Sequence, residues 1–202
     1  AHRQKLVAVK VPVFSMSKLR GVDTYLGPEM KSTGEVMGID YTLEAALAKA
    51  LRAADLSLPP KGVILLSIAD RDKAEALPII QRLASTDYNL YATEGTAAAI
   101  SAQGMSVRLI TKKLSEGRPN VVDIIVDGTV DAVVNTVTGG RVPLQDGFEI
   151  RRAAAERRIP CYTSLDTFRA AVQSLLWKQR DYSVLPLGEY LRKTPVHFHQ
   201  AG

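Results

Sequence analysis

The chain has 202 residues, of which 46 % are hydrophobic and 23 % charged, with a formal charge of +5. This is the composition of an ordinary soluble globular protein, long enough for one large domain or a domain plus a further piece. No apolar run approaches the length of a membrane span or of a signal-peptide core, so the expected location is the cytoplasm. The single cysteine, Cys161, excludes an internal disulfide framework and a multi-cysteine metal site, and reads as a small buried core residue. Basic residues are dispersed, in nothing longer than pairs such as Arg151-Arg152 and Arg157-Arg158, with few aromatics among them. The charge therefore suits small anions better than nucleic acid.

Val7, Val9, Val11 and Val13 alternate with other residues and predict a strand with one apolar face. Residues 15–34 show no period and are rich in Gly, Pro, Ser and Thr, as in an irregular connection. A short strand over 35–39 follows. Thr42 then caps a helix with Leu43, Leu47, Leu51 and Ala54 along one side. The stretch 55–62, with Pro59-Pro60, has the composition of a linker and predicts a domain boundary. What precedes it is too small to bury a core of its own and should pack against something else. Ala1, where a native chain would begin with Met, agrees with its being the tail of a larger domain.

Beyond the linker, strands and helices alternate. The pattern predicts strand 63–68, a helix through Leu77, Ile80 and Leu83, strand 88–92, helix 96–102, strand 107–110 and helix 121–126. Strand 132–135, helix 147–158, strand 159–163 and helix 165–177 follow. Several strands are continuously apolar, as when both faces are covered. The expected fold is α/β, a doubly wound five-stranded parallel sheet preceded by a small α+β segment. Pro78 predicts a kink or a late start in its helix. A short helix over 187–192 and a polar tail end the chain. His197 and His199 in the tail and His2 at the other end lack a partner in sequence and read as frayed termini.

In an open parallel sheet, ligands bind beyond the carboxyl ends of the strands. The turns there carry Ser67, Asp70, Asp72 and Lys73, then Thr93, Gly95 and Thr96, then Lys112, Lys113 and 115–118, then 135–141, then 162–164. The run YATEGT over 91–96 passes from strand to helix and places two hydroxyls and a glycine where helix N–H groups favour an anion. Thr96 as a plain N-cap and Gly95 as a plain turn residue is the alternative. Lys73 falls in the first turn of its helix, where the macrodipole opposes a cation unless an anion lies nearby. Together Lys73, Thr93, Thr96 and Lys113 describe a phosphate site, although each alone is as readily a solvated lysine or a helix cap. Asn135, Thr136 and Thr138 offer amide and hydroxyl groups suited to a sugar or base. No nucleophile stands beside a base and no histidine lies near these turns, so no catalytic residue is assigned. Glu94, Glu116, Asp123 and Asp146 read equally as caps or surface acids.

The run LGPEMKSTGEVMG over 26–38 resembles the end of the second ATP-grasp half of the carbamoyl phosphate synthetase large subunit. From residue 62 on, SIADRDK, YATEGT, KKLSEGRPNVVD, VVNTVTGG and EIRRAA resemble its C-terminal methylglyoxal-synthase-like regulatory domain, and the likeness spans residues 6–177. The resemblance implies a partial ATP-grasp half over 1–58, a methylglyoxal-synthase-like allosteric domain over 59–178 and a tail over 179–202. The family makes carbamoyl phosphate from bicarbonate, glutamine-derived ammonia and two ATP, for pyrimidine and arginine synthesis. ATP and its Mg or Mn bind upstream, so no cofactor, metal or catalytic residue is implied here, nor carbamoyl phosphate synthesis by this segment alone.

The resemblance also implies a nucleotide pocket for UMP or IMP, with the phosphate on Lys73, Thr93, Thr96 and Lys113. Base and ribose would meet Asn135, Thr136, Val137 and Thr138, where Val137 replaces the family's threonine. Ornithine contacts fall on Tyr162 and on Ser164, a threonine in the family, with their acidic partners upstream. Implied partners are the rest of the large subunit and the glutaminase small subunit, with a homo-oligomer left open and neither nucleic acid nor membrane. Two enzymes share the fold. Methylglyoxal synthase needs a carboxylate base beside dihydroxyacetone phosphate, and the cyclohydrolase of purine synthesis uses a lysine-and-histidine loop. Residues 115–119, SEGRP, replace the aspartate-bearing glycine loop of the first and that loop of the second. A ligand-free interaction module is the remaining alternative.

Overall fold

The computed structural model describes residues 6–13, 34–111, 118–136, 141–177 and 184–193, with 141–145 and 191–193 described by backbone alone. β1 (Val7–Val13) and β2 (Gly34–Asp40) form an antiparallel pair, with Val7 opposite Asp40 and Val13 opposite Gly34. The four valines of β1 lie on its half-buried face and Ala8, Lys10 and Pro12 on the exposed one. Thr42 caps α1 (Leu43–Ala53), its hydroxyl oxygen accepting from Ala45 N–H at 3.2 Å. The inward face of α1 differs from the expected leucine stripe: Ala45, Ala46, Ala50 and Leu51 are buried, whereas Leu43 is half exposed. Close approach explains this. A Cβ on Gly38 would stand 2.0 Å from the Ala46 carbonyl oxygen, so the helix backbone lies directly on β2 and only small side chains fit between them.

β3 (Gly62–Ser67), β4 (Tyr88–Ala92), β5 (Arg108–Leu109), β6 (Ala132–Asn135) and β7 (Cys161–Tyr162) form a five-stranded parallel sheet in the order β5-β4-β3-β6-β7. Each strand is followed by a helix: α2 (Lys73–Ala84), α3 (Glu94–Ser101), α4 (Val121–Val126), α5 (Arg141–Arg157) and α6 (Leu165–Leu176). Side chains of the central strands alternate between two cores, as the pleat requires. Ile64, Leu66, Ala132 and Val134 pack with Ile80, Leu83, Ile100, Phe168 and Val172; Leu65 and Val133 pack with Ile124, Ile125, Ile150 and Ala154. Helices α2, α3 and α6 thus cover one face and α4 and α5 the other, which is the doubly wound arrangement. The N-terminal segment packs against this body through Leu51 and Leu58, which join the first core. Residues between α1 and β3 form neither helix nor strand, yet they are not a loose tether. The Tyr162 hydroxyl donates to the Leu56 carbonyl at 2.6 Å and the Tyr88 hydroxyl to that of Pro59 at 2.7 Å.

Several elements depart from expectation. α3 starts at Glu94 with Thr93 as N-cap, so Thr96 lies within the first turn and is not the cap. α5 starts at Arg141, six residues early, because Pro143 is tolerated in a first turn, where its missing N–H would have had no intrahelical partner. α2 follows a 3-10 turn, Asp70–Asp72, and runs on through Pro78. The bond lost there is offset by burial of Ala76, Ile79, Ile80 and Leu83. Cys161 is half-buried, since β7 is an edge strand. At the far end α7 (Leu187–Lys193) returns to the N-terminal segment, where the Tyr190 ring lies 5.5 Å from that of Tyr41. Residues 14–33 and all three histidines lie outside the described residues. No described helix is long and apolar enough to cross a membrane.

Candidate phosphate site

The chain leaves β3 for β4 on one side and comes back to β6 on the other, so the crevice of the sheet opens at the carboxyl ends of these three neighbours. A cavity of about 270 Å³ lies there, walled by the turns after all three: 67–70 with Lys73, 93–96, and Thr136. Other cavities lie between α1 and α6, beside Arg52 and Trp177, and along the β4–β5 edge, beside Tyr91 and Arg108; neither reaches these turns.

Lys73 is the first residue of α2, and its ammonium rests against the first turn of α3. A Cβ on Gly95 would stand 2.7 Å from Nζ, so the glycine makes the space the cation occupies. Two helix N-termini flank one positive charge, which is unfavourable without an anion nearby. Asp70 supplies one, its carboxylate 2.6 Å from Nζ. Thr93 caps α3 by its extended backbone and donates its N–H to the Leu66 carbonyl at 3.1 Å, but its hydroxyl makes no capping bond. The first turn of α3 therefore keeps its amides without the side-chain acceptor that usually satisfies one of them.

Thr96 and Thr136 do a different job. The Thr96 hydroxyl oxygen accepts from Ile68 N–H at 3.0 Å and that of Thr136 from Ala69 N–H at 2.8 Å. Consecutive amides of the turn after β3 are thereby fixed from α3 and from β6, which sets the position of Asp70 and Lys73. Both threonines are buried yet border the cavity, so they shape its wall, and the Thr96 hydroxyl directs its own proton to the Ile68 carbonyl at 3.4 Å.

Asn135 is buried and does not wall the cavity. Its Oδ1 accepts from Arg151 Nη1 at 2.7 Å, and Arg151 is 1 % exposed. In the sequence Arg151 reads only as half of a basic pair. A signal was available: 147, 150, 151 and 154 recur at helical spacing, and Ile150 and Ala154 of that set are core residues, which places Arg151 on the inward face. Gly147 leaves the room, since a Cβ there would stand 2.8 Å from Nη1.

Tyr162 and Ser164 do not form a shared opening. The Tyr162 phenol is enclosed, its hydroxyl committed to Leu56, and burial pushes its pKa above the ordinary range. Ser164 caps α6 by accepting from Asp166 N–H at 3.2 Å. Lys113, Val137 and Thr138 lie outside the described residues. Asp70 and Glu94 are the acidic residues among those that wall the cavity with Lys73. Asp123, by contrast, closes a capping box with Asn120 at the start of α4. Among the described residues no group of three or more His, Cys, Asp or Glu gathers to hold a metal.

Residues 75–163 match the family model of the MGS-like domain. The chain is 51 % identical over 194 residues to the carbamoyl phosphate synthase large chain of Thermomicrobium roseum, a match that covers 96 % of this chain and 18 % of that protein. It thus spans less than a fifth of that relative's length. A methylglyoxal synthase structure from Elizabethkingia anophelis NUHP1 is similar at 17 % identity with a TM-score of 0.45, covering 71 % of this chain and 97 % of the other. The chain thus matches a carbamoyl phosphate synthase large chain over 96 % of its own length and carries an MGS-like domain, as a segment of such a large chain would.

Proposed function

We propose that the segment is the allosteric, nucleotide-binding part of a carbamoyl phosphate synthetase large subunit, and that the cavity after β3, β4 and β6 takes the phosphate of UMP or IMP. The whole enzyme would be a glutamine-dependent cytoplasmic ligase, forming carbamoyl phosphate from bicarbonate, ammonia and two ATP. Its ATP and metal would bind elsewhere in the large subunit, and a glutaminase small subunit would supply the ammonia. In this reading residues 1–58 end the second ATP-grasp half, 59–178 form the regulatory domain and 179–202 the tail. The observation that carries it is the placement of the Lys73 ammonium against the open first turn of α3, beside Thr93 and over Gly95. That arrangement offers one charge-assisted donor and helix amides to a single anion. A ligand at about a hundred times its dissociation constant adds roughly 2.7 kcal/mol to unfolding, so UMP or IMP at that excess should raise the melting temperature and their nucleosides much less.

A second reading has one observation in its favour. Asp70 and Glu94 stand in the same cavity as Lys73, and a carboxylate beside a phosphate-binding lysine is what proton abstraction from dihydroxyacetone phosphate would need. The regulatory reading expects no methylglyoxal or inorganic phosphate from that substrate. Release well above the protein-free rate would replace it with the enzymatic one.

A further inference from the structure

The two halves of the Lys73–Asp70 pair sit in unlike surroundings. The lysine side chain is 20 % exposed and the aspartate 91 %. Helix α2 and the bare backbone at Gly95 fix where the ammonium lies. The carboxylate arrives from the 3-10 turn ahead of α2, with most of its surface in water. It occupies, on Lys73, the place that a ligand's phosphate needs. We propose that Asp70 determines the specificity of the cavity: it is an internal carboxylate that an incoming anion must displace from Lys73, so that phosphate esters bind and singly charged carboxylates do not. This rests on the phosphate-site reading above and adds what selects the anion.

The physical argument is one of exchange. An exposed ion pair is worth little, because water takes back the released carboxylate at small cost. A carboxylate ligand would replace one monoanion on the ammonium by another and gain almost nothing. A phosphate ester carries about 1.5 to 2 negative charges and three acceptor oxygens. It can hold Lys73 and the α3 amides at once. Having been displaced, Asp70 remains nearby and repels the ligand. Removing the Asp70 charge therefore removes both a competitor and a repulsion. At about 4 Å in water, one such charge is worth roughly fivefold in binding.

Titration calorimetry of the 202-residue chain and of Asp70→Asn and Asp70→Glu tests this, with UMP, uridine, inorganic phosphate and uridine 5′-carboxylate as probes. Asp70→Asn should tighten UMP and inorganic phosphate by about three- to tenfold, admit the 5′-carboxylate, and leave uridine unchanged. Asp70→Glu, which keeps the charge, should behave as the parent does. Equal UMP affinity in parent and Asp70→Asn overturns the inference and leaves the phosphate site standing. Weaker UMP binding in Asp70→Asn overturns it too, since Asp70 would then be supporting Lys73 or the ligand. If neither protein binds UMP or phosphate up to about 10 mM, the phosphate-site reading fails and takes the inference with it.

Discussion

Two lysine–aspartate pairs in this molecule have nearly the same length and opposite surroundings. Lys49 meets Asp40 at 2.7 Å, with side chains only 13 % and 11 % exposed. Its ammonium also donates to the Tyr190 hydroxyl at 2.7 Å and the Ile39 carbonyl at 3.0 Å, so the charge is held from three sides. Asp40 is committed as well, its Oδ1 accepting from Tyr41 N–H at 2.7 Å. That cluster ties β2, α1 and α7 together, and nothing enters it without breaking the fold. Lys73 and Asp70 meet at 2.6 Å, but the carboxylate is in water and the ammonium borders a cavity. Distance alone does not distinguish a structural bridge from an exchangeable one. What surrounds the pair does, because desolvation makes one partner irreplaceable in the first case and leaves it replaceable by another anion in the second.

Exchanging the lysines one at a time separates the two roles. Lys49→Met strands a buried carboxylate and should cost about 3 kcal/mol of unfolding free energy, read by denaturant titration. UMP binding should stay within about twofold of the parent, since the sites share no partners. A loss of stability below about 1 kcal/mol would show that the cluster is already solvated. Lys73→Ala should do the reverse. It should leave stability within about 1 kcal/mol and weaken nucleoside monophosphates by roughly ten- to a hundredfold, a charge-assisted bond being worth about 1.5 to 3 kcal/mol. The nucleosides should lose little, and a parallel loss for both would move the lysine's partner away from the phosphate.

The smallest expected effect concerns alkaline pH. Burial works against the charge of Lys49, but its bonds to Asp40 and Tyr190 outweigh that and hold its pKa above the ordinary 10.5. The folded state then binds this proton more tightly than the unfolded chain. The stability so gained is complete below the ordinary value and is lost as pH rises through the raised one. Between about pH 9 and 12 the melting temperature of the parent should fall more steeply than that of Lys49→Met. Tyr88 and Tyr162, whose phenols are also pushed up by burial, act in the same direction in both proteins and cancel in the comparison.

The sheet was readable where pattern and burial agree. β3 and β6 are continuously apolar because both their faces are covered, and α4 spans the 121–126 expected from its apolar run. Boundaries failed where a local signal had two meanings. Gly147 reads as a helix limit but serves within α5 as the gap through which Arg151 reaches Asn135, and Thr96 reads as a cap but accepts from the turn after β3. That Lys73, Thr93, Gly95 and Thr96 would meet at one edge of the sheet was legible, because each lies at a helix start after a parallel strand. The use of Thr96 and Thr136 as props for the backbone was not, since hydroxyl direction is a three-dimensional fact.

Residue order determined that strands and helices alternate, that their edge carries hydroxyls and lysines, and that an acid stands three residues before Lys73; each follows from periodicity and local propensity, which act within a few turns of chain. Only the tertiary structure decided that the Lys73 ammonium lies against Gly95, that Thr96 and Thr136 fix consecutive amides, and that one lysine–aspartate pair is enclosed while the other is open. The reason is that desolvation and close approach depend on which distant elements pack together: Tyr190 closes over Lys49 from 141 residues away, whereas the Asp70 side chain stays 91 % exposed.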